Sequence, residues 1–66
     1  MQVTINGEKR ELAESLTIDK LIDKLELANQ KIAVELNKEI VRKKDWETIS
    51  VNNADRIEIV HFVGGG

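Results

Sequence analysis

The sequence closes on Gly64-Gly65-Gly66, directly behind the strand-like run Arg56-Ile57-Glu58-Ile59-Val60-His61-Phe62-Val63. Three glycines before a free carboxylate would make a thin tail without side chains. Such a tail can thread a narrow channel and present its carboxylate to another protein's active site. Little else in the chain could carry chemistry. Cysteine is absent, which excludes disulfides and thiolate metal sites. One histidine and scattered carboxylates make a poor zinc site. No Ser/His/Asp order, HExxH or CxxC pattern occurs, and glycine is confined to 7 and 64–66, so a phosphate-cradling loop is missing. His61 is the single imidazole. Period-2 alternation with Ile57 and Ile59 turns it inward near the end of its strand, where a lone histidine is more often a partly buried edge residue than a catalyst. Autonomous catalysis is not expected.

The other face of that last strand carries Glu58, Val60 and Phe62, which alternate with the inward set and should point away from the core. Phe62 is the only phenylalanine, and leaving it exposed forgoes burial worth roughly 1.5–3 kcal/mol in a small domain. Its place just before the tail, with Val60 and Val63, marks a surface that a partner gripping the tail would also touch. Trp46 is expected in the core. Arg42, Lys43 and Lys44 form a short basic cluster without the aromatic platform that nucleic-acid binding uses.

These residues need elements to hold them. The chain has 66 residues, is 41% hydrophobic and 33% charged, and carries a formal net charge of −2. Those values describe one soluble domain near the lower size limit for folding unaided, and they disfavour nucleic acid as a partner. Neither a signal peptide nor an apolar run long enough to span a membrane is visible, so the expected location is the cytoplasm. Gln2-Val3-Thr4-Ile5 alternates into Asn6-Gly7, a strong hairpin signal, with Lys9 to Ala13 returning. Thr17 can cap a helix over 18–28, with Leu16 and Leu21 as a hydrophobic staple and Asn29 as its stop. Ile18, Leu21, Ile22 and Leu25 form the apolar stripe of that helix, and Asp19, Asp23 and Glu26 belong to its solvated side. Ile32 to Asn37 predicts a third strand, Glu39-Ile40-Val41 a short fourth after an Asn37-Lys38 turn, and Lys43 to Glu47 one tight helical turn. Ile49 and Val51 continue the buried set, and Asn52 to Asp55 is a turn before the last strand.

One helix on one mixed sheet is a two-layer α+β domain. A helix-containing crossover separates the first and last strands, so they are predicted to lie side by side in parallel. The expected architecture is a β-grasp, ubiquitin-like fold over residues 1–63. It has a mixed sheet of four to five strands and one main helix, followed by a tail at 64–66. Its core should hold Val3, Ile5, Leu12, Ile18, Leu21, Ile22, Leu25, Val34, Leu36, Ile57 and Ile59.

Over essentially its whole length the sequence resembles the ThiS family of sulfur carriers in thiamine biosynthesis. The likeness rests on the opening strand with Asn6-Gly7, Val34-Glu35-Leu36-Asn37 with Ile40-Val41, and Lys44-Asp45-Trp46. It continues in Asp55-Arg56-Ile57-Glu58-Ile59, which leads into Val63-Gly64-Gly65-Gly66. The Asn–Ile-Val–Trp stretch favours this branch over the related small subunit of molybdopterin synthase. Asn53-Ala54-Asp55 departs from the pattern, since relatives often place a glycine before the aspartate. The resemblance implies a carrier with no bound cofactor. An E1-like, ThiF-like enzyme would adenylate the Gly66 carboxylate with ATP. A cysteine-desulfurase relay would convert it to a thiocarboxylate, and a ThiG-like thiazole synthase would take the sulfur. Gly64 and Gly65 would thread the partner's channel, and Glu58, Val60, Phe62 and Val63 would meet the partner. The protein would be a co-substrate, monomeric when free.

The residues agree with that chemistry at two points. A carboxylate is a poor electrophile until a mixed anhydride supplies a leaving group, and a chain without cysteine can hold sulfur only at its terminus. Bare glycines also let the acyl carbon reach attack geometry. Three acceptors other than thiazole fit the same tail: molybdopterin, tRNA thiolation and protein lysines. A plain β-grasp interaction module with an inert tail is a separate alternative.

Overall fold

The structure, a computed structural model, describes residues 1–62. The predictions for Val63, Gly64, Gly65 and Gly66 lie outside the described residues. In chain order the elements are β1 (Gln2–Ile5), β2 (Glu8–Glu11), β3 (Leu16–Thr17) and α1 (Ile18–Lys24). They are followed by β4 (Ile32–Leu36), β5 (Glu39–Val41), a 3-10 turn at Lys43–Asp45, β6 (Ser50–Val51) and β7 (Arg56–His61).

The first hairpin turns at Asn6 and Gly7, both with positive φ (49° and 83°), the conformation that Asn-Gly supplies at least cost. It aligns Val3 with Arg10 and Ile5 with Glu8. A second two-residue turn, Asn37 and Lys38 (φ 50° and 73°), joins β4 to β5 with Leu36 opposite Glu39. Strand β7 enters between the hairpins. It runs parallel to β1, with Ile57 beside Ile5, and antiparallel to β4, with Ile59 beside Val34. The five-stranded sheet therefore has the order β2-β1-β7-β4-β5, with the last strand in the middle. Mixed sheet, parallel first and last strands, and a single helix packed through the core together make the β-grasp fold.

One face of the sheet is buried. Val3, Ile5, Val34, Val41, Ile57 and Ile59 meet Ile18, Leu21 and Ile22 of the helix, together with Leu12, Ile32, Trp46 and Val51. Each side chain so enclosed contributes roughly 1.5–3 kcal/mol. The seven-residue helix is too short to persist alone and depends on this packing. Leu25 and Leu36, expected in the core, lie partly buried against it. Trp46 is buried as expected, and its indole Nε1 donates to the Val41 carbonyl at 3.0 Å.

Three features differ from the sequence-based expectation. The helix ends at Lys24 rather than near residue 28, because Glu26 adopts φ 61°. Leu27 N then donates to Ile22 O at 3.0 Å and Glu26 N to Asp23 O at 2.9 Å, a Schellman closure that satisfies the last carbonyls well before Asn29. Thr17 occupies the N-cap position, but its hydroxyl donates to Asp19 Oδ1 instead of accepting from the helix. The first helical amides are taken by carbonyls across the core, Ile18 N to Ile49 O (2.9 Å) and Asp19 N to Trp46 O (3.1 Å). Finally, β3 and β6 form a separate two-stranded sheet, Leu16 beside Val51, where no strands were foreseen.

Candidate functional site: the outer face of the sheet

Alternation along β7 buries Ile57 and Ile59 and turns Glu58 and Val60 to the opposite, outer face. Phe62 follows the strand directly. Its amide donates to Lys31 O at 3.1 Å, which keeps it attached to the sheet one residue past the strand. Val60 and Phe62 are each 53% exposed, and the outward orientation predicted for Glu58 and Val60 is the one observed. In the register, Ala33 of β4 stands beside Val60 and Glu35 beside Glu58. Glu35 has Ile40 of β5 on its other side. The outer face thus carries an apolar row, Ala33–Val60 continued by Phe62, next to a second row, Ile40–Glu35–Glu58.

Ile40 is 72% exposed, the most exposed large hydrophobic side chain among the described residues, and no site role was foreseen for it. The signal was present in Glu39-Ile40-Val41. Val41 points into the core at 8% exposure, so its neighbour must point out. A three-residue strand simply offers too few alternations to choose a face without its partner.

Strand β7 is held along its length. At its start, Arg56 N donates to Asn37 Oδ1 (2.9 Å) and Asn37 Nδ2 to Asp55 Oδ1 (3.0 Å). Asp55 Oδ2 accepts from Asn52 N at 2.7 Å. Further along, β1 runs out at Ile5, and the Asn6 side chain takes over: its Oδ1 accepts from Ile59 N at 2.7 Å. The segment that presents Glu58, Val60 and Phe62 is therefore fixed by side chains from both hairpin turns.

His61 corrects the sequence reading. It is exposed instead of turned into the core. It stands opposite Ile32 at the end of the ladder, and its Nε2 lies 2.7 Å from Gln30 Oε1, the carbonyl oxygen accepting. At that rim the imidazole meets the loop before β4 rather than the helix. Lys43, from the basic cluster, holds its ammonium 6.0 Å from the centre of the Trp46 ring, within cation–π range. Among the described residues no helix is long and apolar enough to cross a membrane, and no three His, Cys, Asp or Glu side chains group as metal ligands.

Comparison with known proteins covers almost the whole chain. The ThiS family model matches residues 3–66. A thiazole synthase of Paramagnetospirillum magneticum is 44% identical over 66 residues. That match takes in 100% of this chain but 20% of the relative, so the chain spans about a fifth of that protein's length. The sulfur carrier protein ThiS of Bacillus subtilis is 46% identical over 50 residues, 76% of each chain. Among solved structures, the thiamine biosynthesis protein ThiS of Geobacter metallireducens superimposes with a TM-score of 0.88 at 33% identity, covering 100% of both chains.

Proposed function

Because the chain belongs to the ThiS family, we propose that it is a sulfur carrier for thiazole formation in thiamine biosynthesis, a protein co-substrate of partner enzymes rather than an enzyme. Gly66 is the reacting residue. An E1-like, ThiF-like enzyme joins its carboxylate to AMP with release of pyrophosphate from ATP. The terminal sulfur of a persulfide delivered by a desulfurase relay then attacks the acyl carbon, AMP leaves, and a thiol reductant cleaves the acyl disulfide so formed to free the thiocarboxylate. A ThiG-like thiazole synthase consumes the resulting thiocarboxylate. No cofactor resides on the carrier, and the requirement for ATP suits the cytoplasm.

One observation carries most of this reading: Glu58 and Val60 on β7, and Phe62 one residue past it, are exposed immediately before Val63-Gly64-Gly65-Gly66 in the sequence. A partner seated on exposed Val60 and Phe62 has the tail within reach, and binding energy gained on the sheet can position the carboxylate for attack. Gly64 and Gly65 add no side chain that would obstruct a channel.

The test uses intact mass. The chain is incubated with a ThiF-like enzyme, ATP and a sulfur source, and a gain equal to the exchange of one oxygen for sulfur is expected. Deleting Gly66, or extending the chain beyond it, should abolish that gain and leave the melting temperature unchanged. An unchanged mass for the parent chain, with an enzyme shown to be competent on another carrier, would refute the proposal. Supply of sulfur to a tRNA or molybdopterin acceptor, but not to thiazole synthase, would refute the thiazole assignment alone.

A further inference from the structure

Glu35 and Glu58 stand directly opposite each other on adjacent strands of the outer face. Like charges so placed destabilise a sheet. Among the described residues neither is in an ion pair: those present join Met1 to Glu11 and Arg10 to Glu8, on the first hairpin. Arg56, two residues before Glu58 on the same face, is not drawn into a pair with it. The neighbour of Glu35 on the other side is exposed Ile40, which neutralises nothing. Among the described residues an acidic pair without an ion-pair partner therefore sits between Ile40 and the Val60–Phe62 row.

We propose that Glu35 and Glu58 together receive one arginine side chain from the protein that activates the tail, with Ile40 covering the aliphatic stem of that arginine. The pair fits a guanidinium better than an ammonium. Two acceptors side by side match a planar fork of several donors, and a guanidinium sheds water more readily. Continuity decides the occupant: a protein covering Val60 and Phe62 reaches the next row of the sheet, where its surface must meet two carboxylates at once. Electrostatic complementarity there sets encounter and register more than chemistry. The inference rests on the carrier reading above.

The decisive variant is Glu35→Gln combined with Glu58→Gln. Adenylation is followed as pyrophosphate release by a ThiF-like enzyme over a range of carrier concentrations, at low and at high salt. The double variant should need about tenfold more carrier for half-saturation at low salt, with an unchanged maximal rate. Its response to salt should be flatter than the parent's. Its melting temperature should be equal or higher, since the repulsion is gone. Neutralising Asp23 and Glu47 instead, both exposed and outside the five-stranded sheet, changes net charge equally and should leave half-saturation as it was. Equal half-saturation and salt response in the double variant and the parent would overturn the inference, as would a marked fall in its melting temperature. In those cases adenylation of the parent still upholds the carrier reading. A parent chain that a competent enzyme cannot adenylate removes both.

Discussion

Asn6 Oδ1 accepts a hydrogen bond from Ile59 N at 2.7 Å, so a side chain in the first turn completes the ladder of the last strand. The backbone of the same residue donates to Ile57 O at 2.9 Å. One asparagine at φ 49° thus fastens β7 at both Ile57 and Ile59, immediately before Val60. Asn6→Gly keeps the turn conformation but leaves the Ile59 amide without its partner. A loss of about 1–2 kcal/mol is expected, measured by urea unfolding. Stability equal to the parent would mean that water replaces the asparagine at no cost.

Ala54 sits at φ 72° in the turn before β7, a region that costs a residue with a Cβ roughly 1–2 kcal/mol. Its amide is committed to Gln2 O at 2.7 Å, which ties the turn to β1 and fixes the conformation. Ala54→Gly should therefore stabilise the protein by about 1 kcal/mol, net of the added freedom of the unfolded chain. A decrease in the unfolding midpoint would contradict the left-handed turn.

Trp46 fills the core and donates to Val41 O at 3.0 Å. Trp46→Ala should cost about 3–5 kcal/mol, enough to unfold much of a domain this small. Trp46→Phe retains most of the apolar area, loses the indole donor and should cost less. Tracking both by circular dichroism, not by the tryptophan signal, separates packing from the hydrogen bond. Equal losses would show that the donor, and not the ring, holds the site.

Val60→Asp and Ile40→Asp place a charge where the parent side chain is already more than half exposed. Each should cost no more than about 1 kcal/mol, Ile40→Asp because it adds a like charge directly beside Glu35 and Val60→Asp because aspartate is a poor strand residue. Each should nonetheless raise the carrier concentration needed for half-maximal adenylation several-fold, because an apolar contact is replaced by a hydrated carboxylate. Phe62→Ala should act in the same direction. Large unfolding effects with normal activation would place the partner elsewhere on the molecule.

Much of this was legible before any coordinates. Asn6-Gly7 and the alternation of Arg56 to His61 each commit the backbone locally, so the hairpin and both faces of the central strand could be read from them. The end of the helix could not, because Glu26 has no composition cue for φ 61°; the closure depends on Leu27 finding its place beside Ile22. The pairing of Leu16 with Val51 is equally silent, since two-residue strands have no period. His61 exposes a third limit: alternation says which face a residue is on, but not whether anything covers the sheet at that point. Ile40 and Glu35 enter the candidate site only through strand register, a relationship between segments that neither segment contains.

The central position of β7 also has a mechanical meaning. Tension applied past Phe62 along this strand is shared by the β1 ladder on one side and the β4 ladder on the other. Both resist in shear, with their bonds loaded together instead of unzipping one after another. An edge strand would peel away under the same pull. A pull transmitted through Phe62 therefore loads a strand that is paired on both sides, and the domain holds as an anchor where an edge strand would unravel.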